Sequence, residues 1–106
     1  MKTVRIEPRG GGCYLFSGDL SFATVPLAWT HTEALFNDPG PLVLDFAGVT
    51  RSDSAALVLL LGWIRLARQR RKEIGYRNLP AQLLAVAQVS GVRDLLPREG
   101  GGGVTR

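Results

Sequence analysis

The chain is 106 residues long, 45% hydrophobic and 21% charged, enough for one modest core and too little for two domains. Its 13 Lys and Arg exceed its 9 Asp and Glu by only 4, a weak basic balance that does not mark a dedicated nucleic-acid binder. Lys2 is followed by no apolar signal core, the longest uncharged apolar run (55–64) falls well short of the ~20 residues that cross a bilayer, and a single Cys13 can close no internal disulfide. These features favour a cytoplasmic protein with reduced thiols, and leave room for a subunit held at a membrane by a partner.

TVRIE (3–7) and CYLFS (13–17) alternate apolar and other residues around PRGGG (8–12). This pattern predicts a β-hairpin, the glycines supplying positive-φ positions in its loop. GDL (18–20) leads out of it. Thr24 is an N-cap candidate and Pro26 suits a first helical turn, so a helix is expected to about Phe36, where NDPGP (37–41) stops it. Its apolar residues, among them Val25, Leu27, Trp29, Leu35 and Phe36, choose no single face. PLVLDFAGV (41–49) reads as a strand buried on both faces and interrupted by Asp45, with TRSD (50–53) as a turn.

A helix should then begin at Asp53 or Ser54 and run to about Arg71. EIGYRNL (73–79) is a second central strand candidate. Pro80 can open a further helix with Leu83, Leu84 and Ala87 on one face, and Gly91 is placed to end it. VRDLLP (92–97) forms a short closing element. The Gly-rich stretch 98–106 has nothing to bury and is expected to be a disordered tail. The order β-β-α-β-α-β-α describes one α/β domain over residues 1–97. Its sheet is small and mixed, with an N-terminal hairpin and with helices packed mainly on one side.

The helix after Ser54 holds the densest signal. At ~100° per residue, Leu57, Leu60, Leu61, Ile64 and Ala67 form one apolar stripe, and Ala55, Leu59, Gly62, Trp63 and Leu66 form a second on roughly the opposite side. Two opposed stripes require either neighbouring helices folded over Trp63 and Leu66 or a partner docked on the outer face. The short chain and the use of Trp as an interface anchor favour docking. The helix ends in a basic run, RLARQRRK (65–72). Those cations stabilise the negative end of the helix dipole, or contact an acidic partner or a phosphate. Asp53 and Ser54 stand at the positive end, where either side chain can cap a backbone N–H, and where a phosphate on Ser54 would meet backbone donors.

Enzyme chemistry finds little support. The single histidine, His31, and Cys13 stand on different elements, and nothing has metal-ligand spacing. Asp45 and Asp53 flank a turn with no nucleophile–base–orienter set beside them, and Asp45 is expected to tie down that turn through backbone N–H groups. PRGGG and EGGGG lack the Lys and the strand-to-helix context of a phosphate-binding loop. The expectation is a non-enzyme with no catalytic, cofactor-binding or metal-binding residues.

LVLDFAGVTRSDSAALVLLL (42–61) resembles the central signature of STAS domains, the family of anti-sigma factor antagonists. In that signature a buried strand ends in Asp, followed by a Gly-Val turn and by Asp-Ser-Ser-Gly-Leu opening a helix. Asp45, Gly48, Val49, Asp53, Ser54 and Leu57 match it. Gly18, Asp19 and Leu20 match the family's turn after the hairpin, and NLP (78–80) and SGVRDLLP (90–97) are similar to its later part, so the resemblance covers roughly residues 3–97. Where the family has Ser-Gly after the phosphoacceptor, this chain has Ala55-Ala56, which makes the surface more apolar.

The resemblance implies one of two roles. In the first, the domain is the non-catalytic cytoplasmic subunit of a Mla-type phospholipid ABC transporter of Gram-negative bacteria. There it binds the ATPase subunit, in complex with permease and substrate-binding subunits, and supports outer-membrane lipid asymmetry. The Leu-rich helix, the LPAQLLAVAQVSGVRDLLP ending and the short length favour this branch. In the second, it is an anti-sigma factor antagonist phosphorylated on Ser54 by a kinase that is itself the anti-sigma factor. The expected partner interface comprises Asp53, Ser54, Ala55, Leu59, Gly62, Trp63 and Leu66, with no specific nucleic acid.

Overall fold

The computed structural model describes residues 3–98. Strands β1 (Val4–Gly10) and β2 (Cys13–Leu20) form the hairpin, followed by helix α1 (Val25–Glu33) and a 3₁₀ turn, Ala34–Asn37. Strand β3 (Leu42–Ser52), helix α2 (Ser54–Gln69), strand β4 (Ile74–Arg77) and helix α3 (Ala81–Val89) complete the alternation, closed by a 3₁₀ turn at Arg93–Leu95. The expected element order is the observed one. The Gly-rich segment expected as a tail lies outside the described residues from residue 99 onward. Arg98 still takes part in a bridge with Tyr76.

The sheet has the order β1-β2-β3-β4. The hairpin pairs antiparallel, while β2/β3 and β3/β4 pair parallel through the α1 and α2 crossovers. The strands of the hairpin are longer than their alternation predicts, because they run through Pro8–Gly10 to a two-residue turn at Gly11-Gly12 with both φ angles positive (63° and 83°). Strand β3 likewise continues through Ser52, so residues 50–52 are strand and not turn. β4 is terminal in the sheet and not central. The segment Pro97–Arg98 lies on its outer edge, the Tyr76 N–H donating to the Pro97 carbonyl at 2.7 Å.

Phe16, Leu42, Leu44, Phe46 and Tyr76 point from one sheet face into the core, and all three helices pack on that face. There α2 touches α1 on one side and α3 on the other. β3 approaches β2 closely enough that a Cβ on Gly48 would stand 2.6 Å from the Ser17 Cβ, so only glycine fits this position of the signature. The opposite sheet face carries Cys13, Leu15, Val43, Asp45 and Arg77 at half-buried positions.

α2 is buried over a broad arc. Ala56, Leu57, Leu59, Leu60, Trp63, Leu66 and Ala67 are all in the core. This corrects the expectation of an outer docking stripe: Leu59, Trp63 and Leu66 are internal. Trp63 is 0% exposed, stacked edge-on to Phe16 at 5.4 Å between ring centroids, and its Nε1–H donates to Thr32 Oγ1 at 2.8 Å. Gly62 is also turned inward, towards α1, because a Cβ there would meet the Trp29 ring at 3.2 Å. The two stripes are the two flanks of one arc. Helices beside α2 in the same layer cover those flanks, so no second layer is needed. Leu61 and Ile64, expected in the core, are only half-buried.

Candidate protein-docking surface

Asp53 fixes the start of α2. Its extended backbone precedes the first helical turn, and Oδ1 accepts the Ala55 N–H at 2.9 Å, an N-cap. Oδ2 accepts the Phe22 N–H at 3.1 Å. One carboxylate therefore caps the helix and staples to it the turn between β2 and α1. That turn is held from below by a buried polar knot. Ser21 Oγ donates to Asp19 Oδ1, Thr24 Oγ1 donates to the Asp19 carbonyl at 2.8 Å, and the Ser21 N–H donates to Thr24 Oγ1 at 3.0 Å. Thr24 does occupy the N-cap position of α1, but its hydroxyl serves this knot and makes no capping bond.

The result is an exposed cluster on a rigid base. Phe22 is 82% exposed with its backbone tied to Asp53, and the next residue, Ser54, is itself exposed at the first position of α2. Ala55 is half-buried behind it. Along the outer side of the helix, Ser54 is followed at i+4, i+7, i+11 and i+14 by Val58, Leu61, Arg65 and Arg68. Val58 is 69% exposed, Leu61 half-buried, and both arginines exposed. Of the expected interface residues, the structure brings Asp53, Ser54 and Ala55 together here, buries Leu59, Trp63 and Leu66 in the core, and leaves Gly62 half-buried against Trp29. Phe22 and Val58 were missed. Val58 was legible, since it falls within the wedge that holds every polar residue of the helix.

The basic run divides. Arg70 Nη1 donates to Asn37 Oδ1, and Lys72 Nζ donates to the Asp38 carbonyl and, at 2.7 Å, to the Gly40 carbonyl, so these two cations clamp the 37–41 loop. Arg65 and Arg68 stay on the outer face. The turn that Asp45 is expected to tie down is not there, because residues 46–52 continue as β3; its Oδ1 instead accepts the Ala47 N–H within the strand at 2.9 Å and Asn78 Nδ2, just past β4, at 3.0 Å. His31 is exposed on α1. Among the described residues no group of three His, Cys, Asp or Glu could hold a metal ion, and no helix is long and apolar enough to cross a membrane. Burial pushes the Tyr76 hydroxyl well above the usual phenol range, and it donates to the Leu60 carbonyl.

A family model described as "Mlab, STAS domain" matches residues 16–97. No curated protein matches the chain in sequence. Among solved structures, the anti-sigma factor antagonist SpoIIAA in its unphosphorylated form superposes with a TM-score of 0.69 at 16% identity, over 92% of this chain and 89% of that one. An anti-sigma factor antagonist from Mycobacterium paratuberculosis gives 0.71 at 19% identity, over 96% and 88%. At such identities the likeness is one of fold. The family match spans most of the chain, and the chain belongs to the STAS family.

Proposed function

For a STAS domain with this surface, we propose the role of a non-catalytic accessory subunit of a Mla-type phospholipid ABC transporter. It binds the ATPase subunit within the complex with permease and substrate-binding subunits, at the cytoplasmic side of the inner membrane, and so serves outer-membrane lipid asymmetry. The observation that carries this reading is the pairing of two exposed apolar side chains, Phe22 and Val58, with the exposed Ser54 on a base made rigid by Asp53. Apolar groups held in fixed positions lose little freedom on association, which suits a standing protein contact. The family description points to the same branch.

A second reading is kept by Ser54 itself, an exposed hydroxyl at a helix N-terminus in a fold shared with anti-sigma factor antagonists. The local geometry is less suited to a phosphate there. Two backbone donors at the helix start are already engaged, Ala55 N–H by the Asp53 side chain and Ala56 N–H by the Asp53 carbonyl, and the Asp53 carboxylate would face the added charge.

Affinity capture from detergent-solubilised native membranes tests the first reading. An ABC ATPase with its permease is the expected catch, lost with Ser54→Arg or Phe22→Asp at unchanged melting temperature. Recovery of a soluble kinase-like anti-sigma factor with no transporter, and an added phosphate on Ser54 by intact mass after incubation with it and ATP, would transfer the protein to the second.

A further inference from the structure

Beyond the Ser54 end, the outer face of α2 runs into a trench of about 470 Å³ between α2 and the Arg93–Leu95 turn, lined by Leu61, Ile64, Arg65, Arg68, Gln69 and Leu95. We propose that this trench receives an acidic amphipathic helix of the partner protein, its apolar side on Leu61, Ile64 and Leu95 and its carboxylates on Arg65 and Arg68. The inference rests on the reading of α2 as a protein-docking surface and adds the chemistry of what docks.

Three observations carry it. Leu95 is 57% exposed beside Leu96, which is 5% exposed, so the closing turn presents one leucine outward while burying the next. Arg65 and Arg68 are neighbours on one helix face, and neither has a carboxylate partner among the described residues. Two like charges three residues apart with no carboxylate between them repel each other, a small cost that an incoming acid turns into attraction. Arg70 and Lys72, one turn further on, serve the 37–41 loop instead. The geometry selects the occupant. Guanidinium groups one helical turn apart match carboxylates one turn apart on a helix laid alongside, with apolar anchors recurring every three or four residues. No aromatic side chain lines the trench, so it offers no stacking platform for nucleobases.

The test places a photo-crosslinking amino acid at Leu95 and, separately, at Val58 in the full-length chain in its native cells, and sequences the adducts by mass spectrometry. The expected Leu95 adduct lies on a protein segment with Asp or Glu within one helical turn of the attachment point. It falls about tenfold in the Arg65→Glu/Arg68→Glu variant at unchanged melting temperature. Silence at Leu95 overturns the proposal whatever Val58 does. So does an adduct to a second copy of this chain, to lipid, to nucleic acid or to a segment without acids, and so does an adduct that survives the double reversal. The transporter reading fails separately. A Leu95 adduct on an acidic segment of a protein other than an ABC ATPase sinks that reading and keeps the trench, whereas an ATPase captured only through Val58 does the reverse.

Discussion

The inner and outer sides of α2 are made of similar residues and do opposite things. Inside, Leu60, Trp63 and Ala67 are sealed between the sheet and two flanking helices, and even the indole N–H has its acceptor in Thr32. Outside, Val58 and Leu61 sit among Ser54, Arg65 and Arg68 with their apolar surface turned to water. Hydrophobicity alone does not separate the two sides. The separation comes from whether the fold supplies a neighbour, and an apolar group that the fold leaves uncovered on a rigid helix is where a second molecule can gain most.

That contrast can be broken or sharpened by substitution. Trp63→Ala should cost about 3–5 kcal/mol in denaturant unfolding, most of a small domain's margin, because it empties the centre of the aromatic cluster. A melting curve like the wild type's would place Trp63 outside the core after all. Thr32→Val keeps the shape but strands the Trp63 N–H, and about 1–3 kcal/mol is expected in the same assay. Alkaline titration probes the core from Tyr76. Its pKa is raised in the folded state, so its contribution to stability is fully present below the unfolded-state value of about 10 and is lost as pH climbs above it, at up to about 1.4 kcal/mol per pH unit. Tyr76→Phe should flatten that alkaline decline. Asp53→Ala removes the cap and frees the Phe22 turn, with an expected loss of about 1 kcal/mol and faster amide exchange at Phe22. Val58→Asp should change stability by no more than about 0.5 kcal/mol while abolishing partner capture.

Much of this was legible in the residues. The breaker cluster NDPGP, the β-prone run through Phe46 and the Asp53-Ser54 start fixed the order of elements, since each is a local signal. The Schellman ending of α3 was equally local: Gly91 has φ +77°, and the Val92 N–H reaches the Ala87 carbonyl at 2.9 Å. The facing of α2 was not legible from its apolar residues, because they occupy most of its circumference. Which part of that circumference is covered depends on α1 and α3 lying in the same layer, a tertiary fact. The polar residues are the better guide, because Ser54, Arg65, Arg68 and Gln69 mark the wet wedge and Val58 stands inside it. Phe22 carried no such signal. Its position depends on a bond from its backbone to a carboxylate 31 residues away.

The sheet's two margins have a consequence for how copies of the chain behave when crowded. At one margin Tyr76 is already paired with the chain's own Pro97 and Arg98. At the other, Thr3 pairs inward with Asp19, and the register then turns the backbone groups of Val4, Ile6 and Pro8 outward. Pro8 brings no N–H to that row, and the ladder is irregular between Pro8 and Gly10. A strand from another molecule would find one margin occupied at Tyr76 and the other interrupted from Pro8 onward. The fold thus resists edge-to-edge aggregation and leaves recognition to the helices.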